Sequence, residues 1–317
     1  MIRCFVKHNA SITLIDNISD LHQDILKDIV WVDMLMPTQD EIRFIEEKFS
    51  VKFPTKQETE EIEISSRYWE EATKIEINSF FLIASGEHPH NETVSFTLYN
   101  DMLISIRHKA LSTFTEFNKK FYGSPEQFKT GYHIFCQLLD IRIDSDADLI
   151  EKLSKDISKL RKHVFTDYTN DDEEILEKIS AYEDLNMQIR ENIHDKQRIL
   201  SAFLKSNKYP QALKNDVSIM LKDIKSLLDY TDFNFERLDY LQNIFLGILS
   251  IEQNKVIKIF TIVNVIFLPP TLIASIYGMN FRYMPELHWT FGYPLSILLM
   301  IGSSILPIYI FKKKGWV

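Results

Sequence analysis

Two long runs near the C-terminus, Ile259 to Ile276 and Phe291 to Phe311, contain no charged residue. A hydrocarbon core of ~30 Å takes about 20 apolar residues in a helix, so each run is long enough to span a bilayer. The short stretch 281–290 joins them, which predicts a membrane hairpin, and Tyr277-Gly278-Met279-Asn280 lies at the exit of the first run. The polar residues of that run are not scattered. Asn254, Thr261, Asn264, Thr271 and Ser275 follow one another at steps of 7, 3, 7 and 4, which places them on one helical face. Leu268 and Gly278 fall on the same stripe. An unpaired polar side chain is costly in lipid, so the stripe must face protein or water. Packing through Ser, Thr and Asn contacts and lining of an aqueous path both meet that requirement. Two helices cannot enclose water, so a path would need several copies of the chain, each turning one stripe inward. Pro269-Pro270 removes backbone donors inside the run and predicts a bend that shapes the segment from Thr271 to Asn280.

Upstream the pattern changes twice. Ile2–Lys7, Ile12–Ile15 and Val30–Leu35 are short β-rich runs, and Thr38 with Glu41 forms a capping box opening a helix to about Phe49. Thr55 with Glu58 repeats that signal. Lys74–Ser85, Glu92–Tyr99 and Met102–His108 alternate as paired strands, with a turn at Asn100-Asp101. After about Leu111 helical periodicity takes over, with pauses at Thr166–Asn170 and Asn207–Pro210. The pieces between, roughly Pro125–Phe165 and Asp172–Ser206, predict an antiparallel helical pair. A last run starts near Gln211, softens at Asp229–Asn234, and continues from Phe235 into the first apolar run. From Phe235 to Tyr277 is 43 residues, or about 64 Å of helix. A stalk of that length needs neighbours along it, and identical stalks would supply them. The expected organisation is an α+β domain over 1–234, a stalk over 235–258, a first span over 259–280, an outer loop over 281–290, a second span over 291–311 and a basic tail over 312–317.

Charge sharpens the division. Up to Gln253 there are 30 Lys+Arg against 44 Asp+Glu, a net of −14; from Asn254 onward six bases face Glu286 alone, a net of +5, and the two sum to −9. An acidic domain suits divalent cations and not nucleic acid, whose phosphates need Lys and Arg. Lys255 and Lys258 before the first span and Lys312 to Lys314 after the second put both termini in the cytosol by the positive-inside rule. Cys4 and Cys136 lack metal-ligand spacing and read as reduced, buried thiols. The N-terminus has no signal-peptide pattern. No P-loop, dinucleotide turn, HExxH or nucleophile elbow occurs, so neither nucleotide binding nor enzyme chemistry is expected.

Three sets of residues hold candidate ion chemistry. Glu286, the only acid of the outer loop, would raise local cation concentration at a pore mouth. Asp140, Asp144 and Asp148 share a helical face with Asp146 beside them, but a calcium loop is excluded by Leu149 where Gly is needed and Lys155 where Glu is needed. Asp171 to Glu174 reads as a solvated tip. Asp223 and Asp239 lie on or near the stalk, where a carboxylate facing another subunit's would need a cation between them.

Tyr277-Gly278-Met279-Asn280-Phe281, Met284-Pro285-Glu286-Leu287 and the closing Lys312-Lys313-Lys314-Gly315-Trp316 resemble the CorA family of magnesium channels. Ile251 to Phe260 and Phe267 to Leu272 are similar to its enterobacterial branch, with weaker similarity at Asp223-Ile224 and Val30-Trp31-Val32-Asp33. The resemblance implies a homopentameric funnel in the bacterial inner membrane, with a cytosolic αβα domain, a stalk continuous with the pore helix, and an outer ring of second helices. It implies that a ring of Gly278, Met279 and Asn280 binds hydrated Mg²⁺, that Asn254, Thr261, Leu268, Thr271, Gly278 and Asn280 face the pore, and that Leu268, often methionine in relatives, forms the apolar gate. It further implies influx of Mg²⁺, and also Co²⁺ or Ni²⁺, driven by the membrane potential, and closure when intracellular Mg²⁺ bridges acidic residues between cytosolic domains. The sensor aspartates of better-known branches do not map cleanly here, and Asp223, Asp239, Asp140 and Asp144 are the candidates for the regulatory metal. A zinc-transporting relative and a membrane-tethered sensor are the alternatives.

Overall fold

The computed structural model describes residues 1–8, 11–16, 25–54, 67–84, 89–166 and 172–315. Thr55 with Glu58, most of the Thr166–Asn170 pause, Asp171 and the terminal Trp316 lie outside the described residues. The chain divides into two compact units, Met1–Gln242 and Asn243–Val317.

The first unit is built on strands β1 (Ile2–His8), β2 (Ser11–Ile15), β3 (Ile29–Leu35), β4 (Tyr68–Glu70), β5 (Lys74–Ile83), β6 (His90–Tyr99) and β7 (Met102–Arg107). They form one sheet in the order β2-β1-β3-β7-β6-β5-β4, antiparallel except for the β3–β7 pair. The Asn100-Asp101 turn is present. Both residues take left-handed backbone, φ 46° and 64°, as a two-residue hairpin between right-twisted strands requires, and Asn and Asp tolerate that region. Helix α1 (Gln39–Phe49) opens on the expected capping box: Glu41 N–H donates to Thr38 Oγ1 at 3.2 Å, and Thr38 N–H donates to Glu41 Oε2 at 2.8 Å.

Strand alternation sends two sets of side chains to opposite faces. On one face Cys4, Val6, Val32, Met34, Ile104 and Ile106 pack with Ile45 and Phe49 of α1. On the other, Phe5, Trp31 and Phe96 meet helix α2 (Ser112–Gly123) through Phe114, Phe117 and Phe121. Phe5 stacks on Trp31 at 4.5 Å between centroids, and Phe117 meets Trp31 edge-on at 5.3 Å. Each such pair adds ~0.5–1.5 kcal/mol beyond the area it buries. Helices thus cover both faces, giving the expected αβα arrangement.

The helical pair is α3 (Gly131–Thr166) and α4 (Asp172–Lys205), with α4 against β5. Its first member begins later than the periodicity predicted, because α2 ends at Gly123 and a short 3-10 turn, Pro125–Gln127, intervenes. The start is set by the β6–β7 turn: Gly131 N–H donates to the Asp101 carbonyl at 2.5 Å, and a Cβ on Gly131 would lie 2.3 Å from Leu103 N.

The expected soft spot at Asp229–Asn234 is not there. Helix α5 (Lys214–Tyr277) is unbroken for 64 residues. Tertiary contacts override the weak local propensity. Thr231 and Asn234 are buried. Asn186 Nδ2 donates to the Thr231 carbonyl at 2.9 Å, Arg190 pairs with Asp232, and Arg237 donates to Ser154 Oγ at 2.7 Å. Both cysteines are buried and free, and burial pushes the Cys4 thiol up to about 12.

Candidate functional site

The second unit holds the C-terminal part of α5, the segment 278–291 and helix α6 (Gly292–Lys313). Both α5 and α6 contain a stretch long and apolar enough to cross a membrane. The α5 helix continues through Pro269 and Pro270 to Tyr277.

Asn254, Thr261, Asn264, Leu268, Thr271, Ser275 and Gly278 are all exposed, Leu268 at 65%. Ile262, Val265, Ile266, Pro269, Ile273 and Tyr277 are partly covered. At 3.6 residues per turn, the covered set lies roughly on the opposite side of the helix from the polar stripe. The covered face is the one that meets α6, since Ser304 Oγ donates to the Ile266 carbonyl at 3.2 Å. The stripe is therefore turned away from the second span. Thr261 Oγ1 donates to the Ile257 carbonyl and Thr271 Oγ1 to the Phe267 carbonyl, each at 2.7 Å. Each hydroxyl hydrogen is committed to its own helix, so each oxygen presents only lone pairs outward.

The exit turn is tight. Gly278 N–H donates to the Ala274 carbonyl at 2.9 Å and Met279 N–H to the Ile276 carbonyl at 3.3 Å. A Cβ on Gly278 would lie 3.2 Å from the Ala274 oxygen. Met279 and Asn280 follow, both exposed. The loop then folds on itself: Leu287 N–H donates to the Met284 carbonyl at 3.2 Å, Trp289 N–H to the Glu286 carbonyl at 3.4 Å, and Gly292 N–H to the Trp289 carbonyl at 2.9 Å. The Glu286 side chain is exposed while its backbone oxygen lies against Gly292, where a Cβ would stand only 2.3 Å away. Gly292 and Ser304 escaped sequence reasoning. A glycine at the first turn of an apolar run, and a serine one turn from another proline within it, were the available signals.

In the first unit the aspartates separate. Asp140 is half-buried and accepts from Gln137 Nε2 at 2.9 Å. Asp144 is exposed at its rim. Partial burial raises its carboxyl pKa, and Asp140, Asp148 and Asp223 raise it further against the pull of Lys120. Asp223 of α5 is thus among the charges that act on Asp144. Asp239 is exposed and is not among the charges acting on Asp144. Among the described residues no group of three or more His, Cys, Asp or Glu could hold a metal ion.

Asp146 does not belong beside its neighbours. It is fully buried and pairs with Arg142, accepts from Asn192 Nδ2 at 2.7 Å, and lies 3.7 Å from Lys196 Nζ. Lys196, also fully buried, donates to the Phe80 carbonyl at 2.6 Å. Burial pulls its amine down to about 8, against the opposing field of Asp146. Asp195 accepts from Ser79 Oγ at 3.0 Å and Phe80 N–H at 2.8 Å; burial raises its carboxyl pKa despite Lys196 nearby. These groups fasten α3 and α4 to β5; two residues from Asp144, Asp146 stands about 200° round the helix from it, one turn after Arg142.

An αβα domain preceding two C-terminal apolar helices, the first with a neutral polar stripe exposed away from its partner, defines a membrane protein of the two-span transporter class. The family described as "CorA-like Mg2+ transporter protein" matches residues 27–313. The chain is 45% identical over 293 residues to "Magnesium transport protein CorA" of Wolinella succinogenes, with 91% of each chain covered. It is 39% identical to the protein of the same name from Campylobacter jejuni subsp. jejuni serotype O:2, over the full length of both. The fold is similar to "The complete structure of CorA magnesium transporter from Methanocaldococcus jannaschii", with TM-score 0.83 and 20% identity, covering 100% of this chain and 99% of that one. The chain belongs to the CorA-like Mg²⁺ transporter family.

Proposed function

We propose that the chain is one subunit of a homopentameric, Mg²⁺-gated channel that admits Mg²⁺, and also Co²⁺ and Ni²⁺, across the bacterial inner membrane. Both termini are cytosolic in this reading, and the chain carries out no enzyme reaction. The observation that carries it is the neutral stripe, exposed on the side of α5 away from α6, in a chain whose relatives at 45% and 39% identity are named magnesium transport proteins.

The chemistry follows from hydration. Mg²⁺ dehydrates reluctantly and keeps several waters. Those waters point their hydrogens outward, so the wall they meet must accept hydrogen bonds. Thr261 and Thr271 do so, because their own hydrogens are committed to the helix. A ring of Asn280 amide oxygens, held at the exit by the Gly278 turn and followed by Met279, would select the hydrated ion at the mouth. A neutral ring binds weakly enough to release it, which conduction requires. Asn254, Asn264 and Ser275 continue the wetted path, Leu268 supplies an apolar constriction, and Glu286 draws cations toward the mouth. A divalent ion gains ~4.6 kcal/mol from 100 mV, equivalent to a gradient of about 10³.

Regulation would fall to the acidic face. Asp140, Asp144, Asp148 and Asp223 crowd like charges, and a divalent cation between them and a second copy would relieve that repulsion. The absence of a three-ligand group among the described residues of one chain fits a site completed by another subunit, with Asp239 further along the same stalk.

The test is Mg²⁺ flux through full-length protein in liposomes with internal Mg²⁺ varied. Wild type is expected to conduct at low internal Mg²⁺ and close at high, Asn280→Ala to lose uptake, and Asp144→Asn with Asp223→Asn to close less readily. Undiminished uptake by Asn280→Ala removes the ring from the mechanism. Competition by Zn²⁺ stronger than by Mg²⁺ and Co²⁺ selects a zinc transporter, and absence of flux leaves a membrane-tethered sensor.

A further inference from the structure

Proline has no N–H, so Pro269 and Pro270 take from the carbonyls of Val265 and Ile266 the donors normally found four residues on. In a hydrocarbon core no water can replace them. At Ile266 the replacement comes from the other span: Ser304 Oγ donates to its carbonyl at 3.2 Å. Four other hydroxyls of the two spans serve their own helix. Ser296 donates to the Tyr293 carbonyl and Ser303 to the Met300 carbonyl, each at 2.8 Å, as Thr261 and Thr271 do within α5. Ser304 instead crosses from α6 to α5, and both it and Ile266 are partly covered there. The carbonyl it meets is the one Pro270 would have left bare, two residues from Leu268.

We propose that Ser304 is a positioning residue for the gate: its hydroxyl stands in for the backbone donor that Pro270 removes and ties the second span to the pore helix beside Leu268. The tie rests on the channel reading above. A proline pair weakens the helix where the apolar constriction lies, and a single hydroxyl from outside fixes its position there. A bond of 3.2 Å from a side chain, unlike a backbone bond, can be released without unwinding the helix, so the segment carrying Leu268 can shift when the cytosolic domains rearrange. Loss of the tie leaves the closed arrangement less well held.

The experiment is a double-mutant cycle in full-length protein: wild type, Ser304→Ala, Pro270→Ala and the double variant, with Ser304→Thr as the conservative replacement. In liposomes, Ser304→Ala is expected to raise the internal Mg²⁺ that half-closes the pathway by about threefold, the equivalent of ~0.6 kcal/mol for an average hydrogen bond between membrane helices. Ser304→Thr keeps the hydroxyl and restores the wild-type value. In the Pro270→Ala background the backbone again supplies a donor to Ile266, so Ser304→Ala shifts nothing further. The same set is compared by thermal denaturation in detergent, where coupling between positions 270 and 304 reads the hydrogen bond without ion flow. A wild type without flux overturns the channel reading, and the denaturation cycle then decides the bond by itself. Equal effects of Ser304→Ala in both backgrounds, or coupling in denaturation with unaltered closing, overturns the proposal.

Discussion

Gly292→Ala is expected to displace the loop that joins the two apolar helices. An added Cβ would stand 2.3 Å from the Glu286 carbonyl oxygen and 3.5 Å from its carbon. Ordinary carbon–oxygen contacts lie at about 3.3–3.6 Å, so one backbone must retreat by roughly 1 Å. The group it meets cannot rotate away. The Glu286 carbonyl belongs to the short turn Pro285–His288 and accepts from Trp289 N–H at 3.4 Å, and Gly292 N–H is itself held by the Trp289 carbonyl at 2.9 Å. Overpacking of this kind costs ~1–3 kcal/mol, which lowers the native loop arrangement by a factor of roughly 5 to 150. The assay is the initial rate of Mg²⁺ uptake by proteoliposomes, with Gly302→Ala as control, because a Cβ on Gly302 meets nothing within 4 Å among the described residues. The expected result is at least a fivefold loss of rate for Gly292→Ala and none for Gly302→Ala. A Gly292→Ala protein with wild-type rate and wild-type response to internal Mg²⁺ would refute the reasoning, since the loop would then have no need of the close approach.

Lys196 makes stability depend on pH. Its amine titrates at about 8 when folded against 10.5 ordinarily, so between those values the unfolded chain holds the extra proton. The contribution of this group therefore rises with pH across that window, by roughly 3 kcal/mol in all, and is flat below it. Urea unfolding of full-length protein at pH 8 and pH 10, followed by fluorescence of buried Trp31, should show this rise in wild type and its loss in Lys196→Met; equal pH dependence in the two would contradict it. Gly131→Ala brings a Cβ to 2.3 Å from Leu103 N and 2.4 Å from the Met102 carbonyl carbon. It is expected to cost ~3 kcal/mol and to lower the first unit's melting temperature by about 6–12 °C. Gly123→Ala, with nothing within 4 Å among the described residues, should change it little; matching melts for the two variants would remove the contact from the account.

Much of this protein is written locally. Two uncharged runs of spanning length, the steps of 7, 3, 7 and 4 along the stripe, the Thr38–Glu41 capping box and the Asn100-Asp101 turn depend on neighbours in sequence, whose spacing periodicity reads directly. What escaped depends on partners far along the chain. Asp229–Asn234 looks weak until Asn186 and Arg190 of α4 hold it. Helical spacing turns Asp146 away from Asp144 and Asp148, but only folding brings Asn192 and Lys196 to it and, with Arg142, encloses it in a low-dielectric interior where an unpaired carboxylate would not survive. The start of α3 is set by the β6–β7 turn meeting Gly131, and the roles of Gly292 and Ser304 arise from backbone oxygens at Glu286 and Ile266. The sequence by itself determined which segments are long and apolar enough to span, which face of the first of them is polar and which family the motifs resemble, because those follow from composition and period. Only the tertiary structure decided which side of that span faces its partner, which aspartate is sealed inside and which small residues permit close approach, because each turns on a single distance between groups that the chain brings together only by folding.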